Sequence, residues 1–221
     1  MPAGYHPPLE EYLEAIHELE EEGTPVIQAR VAERVGHSAP AVSETIRRLK
    51  ADGYVTVEDR EVHLTGKGRT RAESVVRKHR LAELLLTEII GLPWHKAHNE
   101  ACRWEHVISD EVEERLVELL GHPTACPHGN PIPGSGAAPV QDLVALSSVQ
   151  GGETVRLQRV TERVEIDLDA LTYLSHSGFI PGSDAIVAAR APDGTLTLVR
   201  GDTSFALGPS LTDQLFVTAR S

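Results

Sequence analysis

The sequence predicts an α+β chain of several domains: an N-terminal winged helix-turn-helix, a helical middle segment and a C-terminal β-barrel of SH3-like size. Three observations carry this. Apolar residues recur at helical spacing through most of the first 120 positions, broken once by two alternating runs around a polar turn. A Pro/Gly-rich, non-periodic stretch then spans residues 122–141, and beyond it strand-like runs alternate with turn signals. The domains are drawn at 1–73, 74–140 (including the tether) and 141–221.

Leu9, Leu13, Ile16 and Leu19 define a first helix over 9–22, which carries seven acidic residues and no basic one and stops at Gly23. Gln28 to Val35 forms a short second helix. Gly36-His37-Ser38 turns the chain into a third, residues 39–52, which buries Val42, Ile46 and Leu49 and opens with small or polar residues. Residues 54–57 and 61–64 alternate around Glu58-Asp59-Arg60, the pattern of a hairpin wing whose tip Arg60 can meet a phosphate. A long helix from Thr65 to about Ile90, with Val75, Leu81, Leu84, Leu85 and Ile89 inward, is followed by a helix holding residues 98–106 and by another capped by Ser109. Helices this apolar suggest a dimerisation bundle. Strands are expected at 153–160, 185–190, 196–200, 205–207 and 215–219.

With 221 residues and 40% hydrophobic composition the chain can bury a real core. It has no long apolar span and no leader pattern at its amino terminus, so no membrane partner is expected and the compartment is read as cytoplasmic. Two cysteines are too few for a disulfide framework. A net charge of −12 excludes a general polyanion binder, yet residues 26–71 hold nine basic and six acidic side chains, a local excess of about +3 on the helix-turn-helix. Arg47, on its third helix, belongs to that basic face.

One constellation points to chemistry. At 100° per residue, His98, Cys102, Glu105 and His106 fall on one side of a helix, and His79 and Glu83 repeat the arrangement at i, i+4. One helix cannot complete a coordination sphere, so a metal bound here clamps elements together. Cys126, in the Pro/Gly-rich stretch, is read as inert.

The segments Ala29–Arg34 (ARVAER), Arg77–Glu83 (RKHRLAE), Glu100–His106 (EACRWEH), Ser109–Glu113 (SDEVE) and His128–Gly134 (HGNPIPG) resemble the diphtheria toxin repressor family of metal-dependent regulators and its manganese-responsive relatives, over essentially the whole chain. The resemblance implies a homodimer on double-stranded operator DNA. It implies a regulatory site of Cys102, Glu105 and His106 with a first-helix side chain, Glu11 or also Glu14, and an ancillary site of His79, Glu83 and His98. Asp167 is placed at the position of a carboxylate supplied by the third domain, and Ser38, Pro40, Ala41, Ser43 and Glu44 at DNA contacts. Glu11 stands where the iron-responsive branch has methionine, and Glu44 where the family has glutamine. Carboxylates suit Mn(II) and Fe(II), whereas Cys102 favours softer ions, so the reading is Mn(II) first and Fe(II) second, with Zn(II), Co(II), Ni(II) or Cd(II) as substitutes in vitro. A metallohydrolase would use the same ligand types but lacks a His-Glu-x-x-His motif, and a metal buffer would not need a winged helix.

Overall fold

A computed structural model describes residues 9–136, 138 and 140–220. The chain divides between Lys78 and His79 into two units. In the first, α1 (Leu9–Glu21), α2 (Gln28–Val35) and α3 (Ala39–Ala51) pack Leu13, Ile16, Leu19, Val31, Val42, Ile46 and Leu49 into one core. Each fully buried side chain of this size contributes about 1.5–3 kcal/mol. Gly36 ends α2 in the left-handed region (φ 68°), its N–H on the Ala32 carbonyl, and Pro40 in the first turn of α3 forgoes a donor that has no helical partner.

The wing is β1 (Val55–Glu58) antiparallel to β2 (Glu61–Leu64), with Glu58 opposite Glu61. Asp59 (φ 47°) and Arg60 (φ 73°) both have positive φ, as a two-residue turn of type I′ demands, so the tip is held by two non-glycine residues in a costly conformation. α4 (Gly66–Leu84) follows and runs across the division between the units. A Cβ on Gly68 would stand 2.0 Å from the Tyr54 carbonyl oxygen, so glycine lets α4 start hard against the wing.

In the second unit α4 passes into a π-helical turn, Leu85–Ile89, followed by α5 (Trp94–Trp104) and α6 (Asp110–Leu119). The expected helix to Ile90 thus changes register. A π turn holds an extra residue per turn, which sends Leu86 inward and leaves Ile89 57% exposed, against the expectation that Ile89 faces the core. Helix 98–106 is likewise shorter than expected: α5 stops at Trp104, and Glu105 and His106 lie at its cap and in the turn beyond. Ser109 caps α6 as expected, accepting the Val112 N–H at 3.3 Å.

Between Thr124 and Ser135 the Pro/Gly-rich stretch is not a slack tether. Ala125 bridges to Pro131, Cys126 N–H bonds Asn130 O at 2.9 Å, and Ile132 packs with Leu81, Leu84 and Leu116. Prolines stiffen a pinned loop as readily as a linker, so composition does not separate the two. The rest is a six-stranded antiparallel sheet in the order β3-β8-β4-β5-β6-β7: β3 (Leu143–Ala145), β4 (Thr154–Val160), β5 (Asp184–Arg190), β6 (Leu196–Arg200), β7 (Thr203–Leu207) and β8 (Leu215–Arg220). Short helices α7 (Glu162–Glu165) and α8 (Leu168–His176) follow β4, and α9 (Pro209–Thr212) precedes β8. Phe179, Leu157, Leu171, Leu174 and Leu198 fill the core. Strand β3 and helix α7, of three and four residues, are too brief for periodicity to show, and the nine-residue α8 is a further element beyond those expected. Among the described residues no helix is long and apolar enough to cross a membrane.

Candidate metal centre

The second unit gathers acids, imidazoles and thiols from four places: α4, α5, the loop 125–132, and α7. His79 and Glu83 sit one turn apart on α4, where an i, i+4 pair must face the same side. The His79 Nε2 is 3.2 Å from Glu83 Oε1, and its Nδ1 is 2.5 Å from Glu105 Oε2. His98 reaches Glu83 (3.6 Å), Glu165 (3.4 Å) and Glu162 (3.1 Å), and its Nε2 is 3.4 Å from Cys102 Sγ. Glu105 Oε1 lies 3.1 Å from His106 Nε2. The two ligand groups expected as separate sites are therefore contiguous, joined through His79–Glu105 and His98–Cys102.

Sequence reasoning missed His128, Glu165 and Glu162. His128, fully buried on the loop, puts Nδ1 3.0 Å from Glu83 and 3.1 Å from Glu165. The available signals were its place in the segment that carries the resemblance, and the pair Glu162-x-x-Glu165 after a strand. The Cys126 sulfur lies within 4.8 Å of donor atoms of Glu83 and His128, so this buried thiol stands beside the cluster. Asp167 is not brought to the cluster. It is exposed, and its Oδ1 accepts the Ala170 N–H at 3.0 Å as the cap of α8; the carboxylate this domain sets against the imidazoles is Glu165, two residues earlier. Glu11 and Glu14 are half-buried on α1 in the first unit.

Charge arranges the cluster. Burial alone would lower the pKa of His79, but Glu83 and hydrogen bonds with Cys102 and Glu105 raise it well above 6.5. For His98 burial is likewise overridden, by Glu162 and Cys102, and for His128 by Glu83 and Glu165. The counterparts move the other way. Burial opposes ionisation of Glu83, yet His128 and His79 hold it well below the carboxylate range, and His98 lowers the Cys102 thiol against burial. Cys126 differs: burial, then Glu83, pushes its thiol up to about 12.

Donor atoms of His79, Glu83, His98 and Glu165 all lie within 4.8 Å of one another, and all four residues are buried. Glu83 Oε2, His98 Nδ1 and both His128 ring nitrogens are buried without an aligned hydrogen bond. Buried polar atoms that converge without satisfying each other are what a divalent cation completes, so the residues fit a metal. His79, His98 and Cys102 form one further possible grouping, and Glu83, Cys126 and His128 another.

The loop is positioned by hard contacts. Arg80 donates to Pro131 O, Trp94 Nε1 donates to Pro127 O at 2.8 Å with its ring 4.8 Å from that of His128, and Val160 N–H bonds His128 O at 3.0 Å. At Gly129 (φ 89°) a Cβ would sit 1.9 Å from Gln158 O, against backbone that cannot swing aside. Gly129→Ala is expected to destabilise the metal-free protein by about 2–3 kcal/mol, from left-handed strain plus displacement of the loop. Urea denaturation, with limited proteolysis of residues 122–136, measures it; an unchanged midpoint would refute the expectation.

In the first unit Pro40, Ser43, Glu44 and Arg47 recur at i, i+3, i+4 and i+7 and form one exposed stripe of α3, with Ser38 exposed just before it and Ala41 half-buried. Arg47 pairs with Glu44, and Arg60 is exposed at the wing tip. A polar stripe opposite a buried face is the geometry of a helix that enters a major groove.

Comparison with known proteins agrees with both halves. Residues 6–62 match the iron dependent repressor N-terminal DNA binding domain, 65–134 the iron dependent repressor metal binding and dimerisation domain, and 144–219 the FeoA domain. The iron-dependent repressor IdeR of Mycobacterium tuberculosis is 46% identical over 201 residues, 86% of this chain and 87% of that one. The diphtheria toxin repressor of Corynebacterium diphtheriae is 46% identical over 198 residues, with the same coverage. A solved manganese-dependent transcriptional repressor in complex with manganese superposes with a TM-score of 0.85 at 32% identity, over 96% of this chain and 100% of that one. The chain belongs to the diphtheria toxin repressor family and is a metal-dependent, DNA-binding transcriptional regulator, not an enzyme.

Proposed function

We propose that the protein is a cytoplasmic, homodimeric repressor of metal-homeostasis genes with Mn(II) as its co-repressor. The observation that carries the metal is the buried set His79, Glu83, His98 and Glu165, made only of nitrogen and oxygen donors. The manganese complex at TM-score 0.85 supports the same reading. Glu11, with Glu14, is the proposed first-helix contribution to Cys102, Glu105 and His106. Residues 1–73 serve DNA, with Ser38, Pro40, Ala41, Ser43, Glu44, Arg47 and Arg60 as its contacts; 74–140 serve metal and dimer; 141–221 add Glu165. Ile89, Ile90, Val107, Val112 and Leu119, exposed on the helical segment, support burial against a second copy.

Fe(II) is the second reading. It is favoured by the lowered thiol pKa of Cys102 and by the iron-dependent relatives at 46% identity.

Operator binding by fluorescence anisotropy at fixed salt, with Mn(II), Fe(II) or Zn(II), for wild type and Glu11→Met, tests the proposal. Mn(II) is expected to tighten binding about 5–150-fold, the span of a coupling of ~1–3 kcal/mol, and Glu11→Met to move the preference toward Fe(II). Equal response to all three ions would remove the manganese reading, and no response to any would remove the switch.

A further inference from the structure

Glu165 is brought to the cluster by a helix of four residues, too short to fix a side chain by packing alone. Its orientation has another source. Asn130 on the loop is 6% exposed, and its Nδ2 donates to Glu165 Oε1 at 2.5 Å and to the Val160 carbonyl at 3.0 Å. Both partners are acceptors only, so the amide must turn its NH2 toward them and has no hydrogen to spare. One oxygen of Glu165 is thereby held, and the other, Oε2, points at His98 Nδ1 (3.4 Å) and His128 Nδ1 (3.1 Å). The loop that carries His128 therefore also aims the carboxylate facing it.

We propose that Asn130 is a positioning residue for the metal centre: it touches no ion, and it selects the oxygen that Glu165 presents. The proposal rests on the metal reading above. Without the donor, Glu165 regains rotation about its last bond, and an ion must order it again. Outer-shell partners of this kind typically alter metal affinity about 10–100-fold.

The test is Mn(II) titration followed by the paramagnetic resonance of the free ion, on the full-length protein. The step that belongs to Glu165 is defined as the one Glu165→Gln removes. Asn130→Asp keeps the shape and loses both donors; it is expected to weaken that step about 10–100-fold while leaving the remaining binding within twofold. Asn130→Ser loses volume and keeps a donor, so it should retain more affinity than Asn130→Asp, whereas a packing role would reverse that order. In the Glu165→Gln background Asn130→Asp should change nothing further, because its effect runs through Glu165. Thermal melts of the metal-free variants report any loss of fold separately. An unchanged isotherm in Asn130→Asp, the reversed order of the two variants, or an additive effect in the double variant would each overturn the proposal. Absence of Mn(II) binding by the wild type would instead overturn the manganese reading on which it stands.

Discussion

Glu83→Gln is expected to abolish the metal response. The carboxylate has no exposed surface and faces His79, His98 and His128 at 3.2, 3.6 and 3.0 Å, so it is shared by the groups His79–Glu83–His98–Glu165 and Glu83–Cys126–His128. A first ligand lost from the middle of such a set should cost at least about 100-fold in Mn(II) affinity, the upper end of what outer-shell changes alone produce. The tightening of operator binding by metal should disappear with it. The metal-free fold suffers too, because cationic imidazoles lose their counter-charge. Removing one partner of a buried ion pair costs about 3–5 kcal/mol. Calorimetric titration with Mn(II), beside urea unfolding at pH 6 and pH 8.5, separates the two effects, and the stability loss should be smaller at the higher pH where fewer imidazoles carry protons. A variant that binds Mn(II) as the wild type does would show that Glu83 is only structural.

The second large effect is on pH, and it has opposite signs with and without metal. His79, His98 and His128 have pKa values raised well above 6.5, so near neutrality they are protonated and the metal must displace those protons. Glu83, Glu105 and Glu165 are lowered below 4.5 and release none. Metal affinity should therefore rise with pH, roughly tenfold per unit for each imidazolium displaced, until the raised values are passed. For the metal-free protein the raised histidines contribute stability that is full below 6.5 and is lost as pH rises through their folded values. The lowered carboxylates contribute above 4.5 and lose it as pH falls through theirs. The melting temperature of the metal-free protein should thus fall from pH 6 to pH 8.5 while that of the Mn(II)-loaded protein, measured anaerobically, climbs. Parallel trends in the two forms would exclude protonated histidines as the metal-free partners of Glu83 and Glu165.

Legibility in the sequence followed periodicity. α1, α2, α3 and the wing are long or patterned enough to be read, and so are His79, Glu83, His98 and Cys102, because each pair repeats at one helical turn. Asp167 is the carboxylate that the resemblance puts forward, whereas Glu165 gives no periodic signal because it lies on the four-residue helix α7, just ahead of the cap of α8. His128 and Asn130 were invisible as site residues for a different reason. Neither lies on a periodic element, and their convergence depends on Gly129 passing against the Gln158 carbonyl, a tertiary contact that no local pattern encodes. Ile89 was misdirected by the π turn, which shifts the helical phase without a proline or glycine to announce it.

The face of Glu83 and Glu165 toward protonated imidazoles has one further consequence. A divalent ion that displaced two of those protons would bring two charges and remove two, so the formal charge of the pocket would be the same before and after. The signal is then mechanical: a metal held by these residues would replace ring-to-carboxylate contacts of 3.0–3.6 Å and draw α4, α5, the loop and α7 toward one point. Salt attenuates messages sent as electric fields over about 10 Å, but it does not attenuate a contraction.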